Sequence, residues 1–122
     1  MSNTYQIYLI SDSTGETLER IFLALKAQFE NFNYKIKQFS FTRTETQIKK
    51  IIENASKNKN SIILYTIVNS KLAKFLNDES KRKKIPCFGV LGELILNFSK
   101  LLNQKASHEP SGQHILNKEY YD

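Results

Sequence analysis

Ser61-Ile62-Ile63-Leu64-Tyr65-Thr66-Ile67-Val68 is apolar on both alternating faces, with β-branched and aromatic residues throughout. That is the signature of a strand in the middle of a parallel sheet, where helices cover both sides. Upstream, Thr44–Asn58 places Ile48, Ile51, Ile52 and Ala55 on one helical face and Lys49, Lys50 and Glu53 on the other. Before it, Lys35–Phe41 separates Ile36 from Phe39 and Phe41 by polar residues and reads as a second strand. Earlier still, Leu18, Ile21, Phe22, Leu25 and Phe29 recur at three- and four-residue steps until Asn31 and Asn33 end the helix. Tyr5–Ser11 is a buried strand cut off by Asp12-Ser13-Thr14-Gly15. Downstream, Asn69 or Ser70 caps a helix carrying Leu72, Phe75 and Leu76, which ends in Lys81–Lys84. Pro86 restarts the chain as a short strand, Cys87–Leu91, and Gly92 leads into a helix with Leu94, Ile95, Phe98, Leu101 and Leu102. Four strand-then-helix units joined by right-handed crossovers predict an α/β fold. Its core is a four-stranded, mainly parallel sheet with helices on both faces, Rossmann-like or flavodoxin-like.

The 122 residues suit one domain, and 40% hydrophobic with 25% charged residues is the balance of a folded globular chain. Apolar runs such as Ile62–Tyr65 fall far short of the roughly 20 residues that span a bilayer. Asp12 and Glu16 interrupt what would be the apolar heart of a signal peptide. Cys87 is the single cysteine, so no intrachain disulfide forms. A cytoplasmic protein without a membrane segment is expected. The net charge of +6 could serve phosphate contacts. The lysines are scattered as solvated helix faces, however, with one cluster, Lys81–Lys84, at a helix end where cations suit the dipole. No specific nucleic-acid partner is expected.

In such sheets, ligands sit beyond the carboxyl ends of the strands. Those ends carry Ser11-Asp12-Ser13-Thr14-Gly15, then Thr42-Arg43-Thr44, Asn69-Ser70 and Gly92-Glu93. Hydroxyls and a glycine opening a helix offer donors to an anion, so Ser11, Asp12, Ser13, Thr14 and Gly15 are candidate anion-binding residues, with Arg43 as charged contact. The competing reading is local: Ser13 or Thr14 caps the helix, Glu16 or Thr17 assists, Gly15 eases the turn, and Arg43 is a solvated charge. A second constellation, Ser107-His108-Glu109-Pro110-Ser111-Gly112-Gln113-His114, holds two histidines and a glutamate but no third strong ligand. It reads as a docking or hinge segment, with His108, Glu109, Gln113 and His114 as interdomain or target contacts and no metal site. No G-x-x-x-x-G-K-[ST], G-x-G-x-x-G or Gly-x-Ser-x-Gly run is present, and no complete catalytic set is evident. The organisation expected is an α/β domain over 1–103 and a connecting segment over 104–122, whose Ile115, Leu116, Tyr120 and Tyr121 look like the start of another helix.

Ser11-Asp12-Ser13-Thr14-Gly15-Glu16-Thr17-Leu18-Glu19 after the first strand resembles the opening signature of the regulatory proteins of pyruvate, phosphate dikinase and phosphoenolpyruvate synthetase. Leu64-Tyr65-Thr66-Ile67-Val68, Ile85-Pro86-Cys87 with Val90-Leu91-Gly92, Ser107-His108-Glu109-Pro110 with Gln113-His114, and Asn117-Lys118-Glu119-Tyr120-Tyr121 agree in order and spacing. The resemblance implies a bifunctional serine/threonine kinase and phosphorylase. It would inactivate the dikinase or synthetase by phosphorylating a threonine with ADP as donor, and reactivate it with inorganic phosphate, releasing pyrophosphate. It also implies that ADP and phosphate bind the full-length protein through a lysine-bearing glycine-rich loop in a second, downstream domain. No residue of this chain matches that loop, so no cofactor is expected here, and the 122 residues alone are expected to be inactive, as a truncated piece or a shortened gene product. A homodimer is compatible with the resemblance. The alternative is a stand-alone anion-binding or protein-interaction module.

Overall fold

The computed structural model describes residues 4–106. Its elements alternate: β1 (Thr4–Ser11), α1 (Glu16–Lys26), β2 (Asn33–Phe39), α2 (Glu45–Ser56), β3 (Ser61–Thr66), α3 (Ser70–Arg82), β4 (Cys87–Gly89) and α4 (Gly92–Leu102). The sheet runs β2-β1-β3-β4 and every neighbouring pair is parallel. This is the flavodoxin-like order. The chain steps outward from β1 to β2, then crosses back to β3, so the switch point lies between β1 and β3.

Alternation along β1 builds two cores. Ile7 and Leu9 join Leu18 and Phe22 of α1 and Leu64 of β3 on one face. Tyr8 and Ile10 join Ile48, Ile51 and Ile52 of α2, Ile63 of β3 and Leu76 of α3 on the other. Each large apolar side chain fully buried in this way contributes roughly 1.5–3 kcal/mol relative to leaving it exposed. The two faces are covered unequally, by α1 alone on one side and by α2 with α3 on the other. Helix α4 buries none of its residues, and Leu94, Leu96, Phe98, Leu101 and Leu102 all lie outward.

Strand and helix ends follow local chemistry. Thr44 and Gln47 form a reciprocal capping box that opens α2, and of the two candidate caps for α3 it is Asn69 that accepts from the Leu72 N–H, at 3.0 Å. β2 begins two residues earlier than the pattern suggests and stops at Phe39, because Phe41 takes a left-handed φ of 52° that no strand can carry. α1 ends at Lys26, leaving Phe29 beyond it, and β4 is cut to three residues.

Gly89 has a packing reason. A Cβ there would stand 2.7 Å from both the Cζ and the hydroxyl of Tyr65, which is itself held by the Asn77 side-chain N–H at 2.6 Å. Gly89→Ala is therefore expected to cost about 1–3 kcal/mol by overpacking, read as a lower urea midpoint. An unchanged midpoint would show that the Tyr65 ring moves aside freely.

Candidate functional site

At the switch point, the β1–α1 turn, Thr66 at the end of β3, Val68 just after it, and Leu91 before α4 line a cavity of about 110 Å³. Asp12 holds this corner together. Only 3% exposed, it donates its own N–H to the Thr66 carbonyl at 3.2 Å. Its carboxylate Oδ2 accepts the Val68 N–H at 2.9 Å, and Oδ1 accepts the Ser13 hydroxyl at 3.3 Å. A side chain that could have faced a ligand is thus turned onto the backbone, tying the end of β1 to the loop after β3.

The β2–α2 loop is fastened to the same turn. Phe41 N–H donates to the Ser13 carbonyl and Thr42 N–H to the Ser11 carbonyl, each at 2.9 Å, while the Ser40 hydroxyl donates to the Thr14 carbonyl at 2.8 Å. Arg43 donates its Nε–H to the Asp12 carbonyl at 2.9 Å and lies over the Phe41 ring. Ser11, Asp12, Ser13, Thr14 and Gly15 thus line the cavity, whereas Arg43, tied to the Asp12 carbonyl, lines a separate recess with Glu45, Asn69, Lys71 and Leu72. Within the turn, the Ser11 hydroxyl accepts the Ser13 N–H at 3.0 Å. His108, Glu109, Gln113 and His114 lie outside the described residues.

The local-cap alternative for Ser13 or Thr14 is not realised. Gly15 itself occupies the cap position of α1 with φ of 89°, and no side chain caps the helix. Only glycine adopts that φ without strain. The first amides of α1 thus open toward the cavity with the positive end of the helix dipole, and Glu16 and Glu19 in the first turn offset part of that charge. Ser40, Leu91 and the Val68 N–H are contributors that the sequence did not single out as site residues.

The volume decides what fits. Small-molecule sites run from about 300 Å³ upward, so this cavity is too small for a nucleotide and has room for no more than a small group beside the Asp12 and Glu16 side chains. Among the described residues, no three metal-ligating side chains come together, and no helix is long and apolar enough to cross a membrane.

Cys87, within one of the motifs, points away from the cavity into the α2–α3 core. Burial pushes its thiol up to about 11; the Ser80 hydroxyl, itself buried without a sound hydrogen bond, opposes this only weakly. Desolvation likewise raises the Tyr65 hydroxyl, against the pull of the Asn77 hydrogen bond. Both groups favour their protonated form in the fold. The thiol's contribution to stability is complete below its unfolded value, near 9, and is lost as pH climbs toward 11. The urea midpoint should accordingly fall between pH 9 and 11, more steeply in the wild type than in Cys87→Ala; parallel slopes would remove the thiol from the explanation.

Fold and site together define a doubly wound α/β domain that presents a hydroxyl- and glycine-rich strand-to-helix turn at its switch point. The chain belongs to the kinase/pyrophosphorylase family, whose model matches residues 7–122. It is 70% identical over its whole length to a pyruvate, phosphate dikinase regulatory protein of Pelagibacter ubique (strain HTCC1062), covering 44% of that protein. It is 34% identical over 116 residues to one from Geotalea uraniireducens (strain Rf4), covering 95% of this chain and 43% of that protein. It is 28% identical over 117 residues to one from Lactiplantibacillus plantarum, covering 96% and 43%. The chain thus spans less than half the length of these relatives, matching their N-terminal part.

Proposed function

We propose that these residues form the N-terminal part of a cytoplasmic regulator that switches pyruvate, phosphate dikinase or phosphoenolpyruvate synthetase off and on. The carrying observation is the family match over residues 7–122, together with 70% identity over this chain's whole length to 44% of the Pelagibacter ubique regulatory protein. In the inactivating direction, the target threonine oxygen attacks the β-phosphorus of ADP. The bond to the bridging oxygen breaks, AMP leaves, and the threonine proton is lost. In the reactivating direction, an oxygen of inorganic phosphate attacks the phosphothreonine phosphorus, giving pyrophosphate and the free hydroxyl.

The nucleotide belongs to the downstream part of the longer protein, since no lysine-bearing glycine-rich loop is present here and the cavity at the switch point is too small for a nucleotide. This domain supplies a preorganised wall. The α1 amides face the space where a transferred or attacking phosphate would pass, and Asp12 fixes the turn by binding the backbone on either side, with Arg43 held on its carbonyl.

A long form, made by joining the 122 residues to the remainder of the Pelagibacter ubique relative, tests this role. Thr14 is exposed and caps nothing, so Thr14→Ala should leave the unfolding free energy from urea denaturation within about 0.5 kcal/mol of wild type. In the long form, the same change should lower turnover in both directions by about tenfold through misplacement of the phosphate. Equal turnover in both reactions would reduce the turn to local structure.

A further inference from the structure

We infer that the apolar groove between α1 and β4 is the seat of the polypeptide that follows these residues in the longer relatives, an inference that rests on the reading proposed above. The groove has a volume of about 340 Å³ and is walled by Phe22, Leu25 and Phe29 on one side and by Ile62, Leu64 and Phe88 below and beyond. Phe29 is 58% exposed, Phe88 56% and Leu25 43%, a contiguous apolar surface of the kind that marks an interaction site. No charged side chain lines it, so it selects an apolar partner despite the chain's net charge of +6.

The occupant follows from the sheet. All-parallel sheets are found with both faces covered, because the crossovers of their own chain lie over them. Here α2 and α3 cover one face, whereas among the described residues α1 alone serves the other, burying Leu64 of β3 but leaving Ile62 half-buried and Phe88 of β4 exposed. Helix α4 does not supply the cover. Its less exposed positions, Ile95 and Ser99, face Ile67 and Ala73 near the start of α3. More than half of the Pelagibacter ubique relative lies outside the matched region, which provides the missing chain. Being tethered, that chain competes at an effective concentration of order millimolar, ahead of any second copy in solution.

Hydroxyl-radical footprinting of the 122-residue chain against the long form tests the assignment. Oxidation of Phe88 and Phe29 should fall about fivefold in the long form, as each passes from more than half exposed to core-like burial. In the long form, Phe88→Glu should restore the labelling of Phe29, while in the short chain the same change, at an exposed position, should leave the fold intact. The intact Pelagibacter ubique relative, compared with its own matched portion alone, gives a second reading of the same groove should the joined protein not fold. Equal oxidation of Phe88 and Phe29 with and without the downstream chain overturns the inference. So does protection in the short chain that grows with concentration alongside a dimer mass, which would make the occupant a second copy. Phosphoryl transfer by the same long-form sample is scored separately. Transfer without protection removes the groove assignment alone, and protection without transfer removes the proposed activity alone.

Discussion

Asp12→Ala is expected to destabilise the domain by about 3 kcal/mol, at the upper end for a side chain this small. The carboxylate is buried and accepts the Val68 N–H at 2.9 Å, a bond that joins residues 56 positions apart across the switch point. Removing it deletes the tether between the end of β1 and the loop after β3, and takes an acceptor from a backbone donor in a place where water reaches poorly. The shell carried by that tether loosens with it, since the Ser13 carbonyl holds Phe41 and the Asp12 carbonyl holds Arg43. Asp12→Asn keeps an oxygen in the same place and should lose less than half as much. Urea denaturation of the three proteins checks the order. An alanine variant within about 0.5 kcal/mol of wild type would mean that the carboxylate contributes nothing to the fold.

Much of this architecture is legible in the residues. Ser61–Thr66 is buried on both faces because it lies between β1 and β4, and its unbroken apolar run announces that position. The capping box of Thr44 and Gln47 has a side-chain signature, as does Asn69 ahead of α3. What escapes the sequence is carried by backbone. Nothing in the letters around Phe41 gives its left-handed φ, which ends β2 early and lets its N–H reach Ser13. The cap of α1 looks like a hydroxyl's task, yet Gly15 fills the position by conformation and leaves the hydroxyls to other contacts. The partner of Asp12 is an amide, and amides are the same at every position but proline. For α4, helical periodicity shows that an apolar stripe exists but not what it meets, and Leu94, Phe98 and Leu101 stay outward on this domain.

Phosphorylation of purified dikinase from ADP labelled in its β-phosphate separates the two parts of the proposal most sharply. Enzymes accelerate such reactions by at least about 10⁶-fold, so a protein lacking the nucleotide site loses the activity entirely. The 122 residues hold no lysine-bearing glycine-rich loop, and their strand-end cavity of about 110 Å³ is too small for a nucleotide. With the 122-residue chain alone, no label should reach the dikinase. With the long form, label should appear on a threonine of the dikinase, AMP should form in equal amount, and inorganic phosphate should remove the label as pyrophosphate. Transfer by the short chain alone would place a nucleotide site within these residues. A folded long form that leaves both dikinase and synthetase unlabelled would contradict the assignment of this domain to their regulator.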